Sequence, residues 1–109
     1  MTKQELVQRL IALPNEIEKA EEAVLLAHAR LITAKDVLQQ KEDSLLLGNM
    51  LDGKNAETRA AQARQYTTNE REALTDAEIN LKNVASRLER LHVQLKSFRA
   101  VADLIRVPA

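Results

Sequence analysis

Apolar residues recur along this chain in two long seven-residue frames, separated by a short break near the midpoint. In the first frame Leu10, Ile17, Val24, Leu31, Leu38 and Leu45 stand seven apart, with Leu6, Leu13, Ala20, Ala27 and Ala34 between them. In the second, Ala60, Ala63, Thr67, Glu70, Leu74, Ala77, Leu81, Val84, Leu88, Leu91, Leu95, Phe98, Ala102 and Ile105 alternate by steps of four and three. This spacing lays a stripe along one side of a helix and describes coiled-coil-like arms. The pattern predicts an all-α fold: one domain, 1–109, built as a long antiparallel two-helix hairpin. Its first arm is 2–47, its tip 48–54 and its second arm 55–106. Each arm is about 50 residues, or roughly 75 Å at the helical rise.

Local signals set the ends. Thr2-Lys3-Gln4-Glu5 has capping-box form, with a hydroxyl for a free amide and a carboxylate that reaches back. Pro14 lacks an amide proton and disfavours helical geometry at Leu13, so the first arm is expected to be kinked or broken there, with its direction roughly kept. The tip holds both glycines, Gly48 and Gly53, and either is free to take the left-handed geometry that ends a helix. Asn55 is an N-cap candidate. The second arm is expected to be one helix to about Arg106, stopped by Pro108, with residues 66–75 as its weakest stretch. Thr67 and Glu70 are poor seam residues, and Thr75-Asp76-Ala77-Glu78 again resembles a capping box.

Folding the chain back at the tip sets the two frames opposite each other at a constant sum of positions. Leu10 then faces Leu95, Ile17 faces Leu88, Val24 faces Leu81, Leu31 faces Leu74 and Leu45 faces Ala60. The other seam position pairs Leu6 with Phe98, Leu13 with Leu91, Ala20 with Val84 and Ala27 with Ala77. Flanking charges mostly agree: Glu16 faces Arg87, Glu42 faces Arg64 and His28 faces Glu78. Lys35 opposite Arg71 is the misfit.

The first arm has more apolar residues than one partner helix can cover. Ile11, Leu25, Ile32 and Leu46 form a second stripe outside the seam, with Leu26 and Leu47 beside it. An isolated two-helix hairpin buries little surface. These four residues are therefore the candidate interface of a homo-oligomer, a helical bundle.

Composition narrows the function classes. Of 109 residues, one is Phe, one Tyr and none Trp, while helix formers dominate. Sixteen basic residues balance sixteen acidic ones, which argues against a general nucleic-acid-coating role. Cysteine is absent, so disulfides and thiolate metal sites are excluded and a reducing compartment such as the cytoplasm fits. The polar start is no signal peptide, and no apolar run approaches the ~18 residues that span a bilayer. No membrane association is expected.

Candidate chemistry is sparse. His28 and His92 lack metal-ligand spacing. Glu16, Glu18, Glu21 and Glu22 sit where a helix start favours negative charge, and no pocket accompanies them. No catalytic residue, metal ligand or cofactor fingerprint is present, so no cofactor and no enzyme is expected. Arg87, Arg90 and Lys96, within a basic C-terminal quarter, are the candidate nucleic-acid contact. Lys54, Asn55 and Arg59, at a helix N-terminus that attracts anions, are the candidate contact for a partner at the tip.

The stretch Gly53-Lys54-Asn55-Ala56-Glu57-Thr58-Arg59-Ala60-Ala61-Gln62 matches every lettered position of a G-K-N-A-E-x-R-x-A-Q segment. It resembles the segment that precedes a long Leu-rich helix in small helical proteins of bacteriophages and prophages. The likeness covers about half the chain, from the tip through the second arm. It implies a phage or prophage origin and a role in the infected cell beside DNA replication or recombination. It carries over no catalytic residue. The expectation is a non-enzymatic structural or protein-interaction module in the host cytoplasm, with a protein partner. The alternative is a nucleic-acid-binding accessory factor.

Overall fold

The computed structural model describes residues 1–106, so Pro108 and its expected stop signal lie outside the described residues. The chain is all-helical there: α1 (Lys3–Leu47), α2 (Ala56–Tyr66) and α3 (Thr68–Arg106). The helix starts where the capping box placed it. The Glu5 amide donates to Thr2 Oγ1 at 3.1 Å, and the Thr2 amide donates to Glu5 Oε2 at 3.2 Å.

α1 runs through Pro14 without a break in the helix. The proline leaves the Leu10 carbonyl without its usual amide partner, yet the chain is tied across that point. Arg9 donates two bonds to the Glu16 carboxylate, at 3.1 and 3.0 Å, spanning the proline from two turns apart.

The expectation of a single helix over 55–106 is not met, because α2 and α3 are separated at Thr67. This residue has φ −116° and ψ 23°, and its amide reaches the Arg64 carbonyl at 3.3 Å, one residue nearer than in an α-helix. Its hydroxyl donates instead to the Ala63 carbonyl at 2.6 Å, and the Thr68 hydroxyl reaches the Gln65 carbonyl at 3.1 Å. Two adjacent hydroxyls thus compete with amides for the carbonyls of the turn below, as Ser and Thr do in helices. α3 passes without a break through Thr75-Asp76-Ala77-Glu78, so that capping-box signal is silent.

The chain forms two compact units. The first comprises Met1–Leu26 and the α3 segment from Lys82 onward. Its core is Leu13, Ile17, Ala20 and Leu91, with Leu88, Leu95 and Phe98 packed against it. Here the two helices run antiparallel. Leu6 and Leu10 share a groove with Ala102 and Ile105, Arg9 meets Gln94 at 3.2 Å, and Ala20 and Ala23 lie beside Val84 and Arg87.

The second unit is Ala27–Leu81, containing the end of α1, the tip, α2 and the start of α3. Ala27, Leu45, Thr67 and Ala77 are its buried residues. α2 buries none of its side chains, and Ala60, expected opposite Leu45, is exposed. Glu42 accepts from Arg71 at 3.1 Å, not from Arg64 as the charge pattern suggested. Arg71, seven residues on from Arg64 and expected opposite Lys35, thus has an acidic partner.

Candidate functional site

Three regions carry the candidate residues: the tip, the side of α1 turned away from the seam, and the C-terminal half of α3.

The tip is a closed hydrogen-bonded loop. α1 ends in a Schellman arrangement, with the Met50 amide donating to the Leu45 carbonyl at 2.9 Å and the Asn49 amide to that of Leu46 at 3.2 Å. The left-handed residue is Asn49, with φ 54°; neither glycine has positive φ. Asparagine tolerates this conformation because its short side chain bonds locally. Gly53 is needed for a different reason. A Cβ there would stand 2.7 Å from Thr58 Cγ2, 2.9 Å from Thr58 Cβ and 3.0 Å from the Arg59 nitrogen. The loop lies directly on the first turn of α2.

Four side chains hold it there. Asn55 caps α2, its Oδ1 accepting from the Thr58 amide at 2.8 Å and the Thr58 hydroxyl at 2.9 Å. Arg59 donates to the Gly53 carbonyl at 3.1 Å. Gln62 accepts from the Gly53 amide at 2.9 Å and donates to Asp52 Oδ1 at 2.7 Å. Asn55 and Arg59, named as partner contacts, are therefore engaged in shaping the loop, while Lys54 stands exposed. The bond between Gln62 and Asp52 has no signal in the sequence pattern. Their contact spans ten residues, which no helical period marks.

The exposed face of α1 holds the second set. Ile11 and Leu25 lie in the first unit and Ile32 and Leu46 in the second, all four exposed, at 60–71%. Leu26 and Leu47 beside them are exposed as well. Single exposed apolar residues are ordinary, whereas an apolar row on one helix is informative.

Arg87, Arg90 and Lys96 are exposed on α3. Nine residues separate Arg87 from Lys96, about two and a half helical turns, so the two lie on opposite sides of the helix. Arg87 lines the same depression as Glu16, whose carboxyl is held below its ordinary value. The hydrogen bonds from Arg9 are the main cause; partial burial opposes them, and the charges of Arg9, Arg87 and Lys19 reinforce them. Arg9 is correspondingly raised.

A surface depression of about 320 Å³ at the α2–α3 junction is lined by Arg64, Thr68, Arg71, Glu72, Thr75 and Asp76, mixing both charge signs. Among the described residues no group of His, Cys, Asp and Glu could hold a metal ion. No helix there is long and apolar enough to cross a membrane. Comparison with protein-family models, curated proteins and solved structures finds no match.

Proposed function

We propose that this chain is a non-enzymatic helical interaction module: a hairpin, bent at Pro14, that self-associates into a bundle through Ile11, Leu25, Ile32 and Leu46 and acts by holding a protein partner. The observation that carries this reading is the imbalance of apolar residues. Among the described residues only five large hydrophobics are buried (Leu6, Leu13, Ile17, Leu45 and Leu91), whereas sixteen are exposed, and α1 carries the row just described. Two helices cannot cover that surface, and a small helical domain gains stability by covering it with another. The phage resemblance at the tip supports an origin in a phage or prophage, and hence action in the host cytoplasm.

Light scattering tests it: a multimer at micromolar concentration is expected, and a monomer removes the self-association claim. The nucleic-acid alternative has less support, since formal charge is balanced and Arg87 and Lys96 point to opposite sides of α3. It requires salt-sensitive binding of DNA that is lost when Arg87, Arg90 and Lys96 are changed to Glu.

A further inference from the structure

Formal charge balances over the whole chain, but not around Glu16. The charges of Arg9, Lys19 and Arg87 all act on its carboxyl, three cations against one anion. Arg9 alone occupies both carboxylate oxygens, at 3.1 and 3.0 Å. Among the described residues the ion pairs are Arg9–Glu16 and Arg71–Glu42, so Lys19 and Arg87 have none. Both are exposed, and both line one depression of about 380 Å³, Lys19 from α1 and Arg87 from α3. Between them lie Ala20, Ala23 and Val84. All of these residues belong to the first unit.

We propose that this depression holds the phosphoryl group of a small organic phosphate, clamped between Lys19 on one helix and Arg87 on the other. The guanidinium fork matches two phosphate oxygens, and the ammonium adds a compact point charge. Ala20, which is buried, and the half-buried Ala23 and Val84 give the organic part of the ligand an apolar bed. The volume falls within the range of small-ligand sites.

The neighbours on each helix leave these cations available. Arg87 has Asn83 and Val84 one turn before it and Arg90 and Leu91 one turn after, so no carboxylate on α3 competes for it. Lys19 has Glu16 three residues before it, already taken by Arg9, and Glu22 three residues after. An exposed pair at that spacing is weak and yields to a phosphate dianion. A nucleic-acid strand fits less well. Its affinity is built from many neutralised phosphates, whereas two cations meet here and Lys96 is on the opposite side of α3 from Arg87. The site is open to solvent, so two charge-assisted contacts set a dissociation constant on the order of 1 mM. The proposal does not depend on self-association.

The test is a titration of the full chain with phenyl phosphate at low salt, read by amide shifts in two-dimensional NMR. Saturable shifts are expected at Lys19–Ala23 and Val84–Arg87. Lys19→Gln and Arg87→Gln, both at exposed positions, should each weaken binding about tenfold. Arg99→Gln, an equal loss of charge elsewhere on α3, should leave it unchanged. Glu16→Gln should tighten it by freeing Arg9. The absence of saturable shifts up to ~20 mM, well beyond the expected constant, would overturn the proposal. So would equal weakening by Arg99→Gln, which reduces the effect to diffuse charge. A single-stranded oligonucleotide that shifts the same amides at lower concentration than phenyl phosphate would assign the contact to nucleic acid and overturn the small-ligand reading.

Discussion

The two tip glycines separate packing from backbone conformation, and Gly53→Ala against Gly48→Ala measures the difference. A Cβ at Gly53 meets Thr58 at 2.7 Å and the Arg59 nitrogen at 3.0 Å. Thr58 cannot swing aside freely. Its hydroxyl is bonded to Asn55 Oδ1, so rotating Cγ2 away breaks part of the N-cap. The loop must instead lift from α2, stretching the Gly53 amide bond to Gln62 and the Arg59 bond to the Gly53 carbonyl. Overpacking of this kind costs ~1–3 kcal/mol. Against it stands a gain of ~0.4–1 kcal/mol from the less flexible unfolded chain, since Gly53 has no positive φ to forbid alanine. The net is a local loss of about 1–2 kcal/mol.

At Gly48 an added Cβ meets only the Ser44 carbonyl at 3.2 Å and Met50 Cγ at 3.7 Å. A shift of a few tenths of an ångström relieves it, and the entropy gain makes Gly48→Ala neutral or slightly stabilising. Because α2 buries no side chain, the Gly53 loss falls on the loop and α2 rather than on the core. Amide hydrogen exchange over Thr58–Gln62 is the assay, and about tenfold faster exchange is expected for Gly53→Ala at 1.4 kcal/mol per decade. Unchanged or slower exchange in Gly53→Ala, or a larger effect from Gly48→Ala, would refute the argument.

Thr67→Val keeps the shape of a fully buried residue but leaves the Ala63 carbonyl and Arg71 Nε without their partner, at 2.6 and 2.9 Å; a loss of about 1–2 kcal/mol in urea unfolding is expected. Leu13→Ala opens a cavity in the first unit's core and should cost ~2–5 kcal/mol, whereas Ile11→Ala should leave unfolding of the dilute protein nearly unchanged and weaken self-association. Glu16 is held below its ordinary carboxylate value when folded, so its ion pair stabilises above that value and the contribution is lost as pH falls through the folded pKa. Unfolding midpoints from about pH 6 to pH 3 should fall less steeply in Glu16→Gln than in the parent, with the variant the less stable at neutral pH.

The seam was legible because it repeats. Among the described residues all eight buried hydrophobics, from Leu6 to Leu91, sit at positions that the seven-residue frame marks. What escaped depends on single contacts rather than on period. The pattern marks 66–75 as weak, but the place of the break, at Thr67, comes from two hydroxyls taking carbonyls below them. Arg71 was read as a misfit because a heptad frame fixes the face of a residue but not which turn it meets; Glu42 lies one repeat away from the pairing expected. Glycine was expected to end α1 because it usually does, yet Asn49 takes the left-handed position and frees the glycines for other work.

That last exchange bears on what the segment 53–62 does. A run of residues that spans a loop and a helix start invites a search for a partner there. In this chain Gly53 provides the close approach, Asn55 the cap, Arg59 the bond to the loop carbonyl, and Gln62 the bridge between the Gly53 amide and Asp52. Ala56 and Ala61 suit a helix, and Glu57 complements its positive end. Folding alone accounts for every lettered position except Lys54. These contacts are what an otherwise unsupported helix requires, because α2 buries no side chain and an isolated 11-residue helix is marginal in water. Specificity toward other molecules then has to come from surface that folding leaves unused. The exposed apolar residues of α1 are such surface, so substitutions that abolish function without disturbing the fold should concentrate at Ile11, Leu25, Ile32 and Leu46 rather than at the tip.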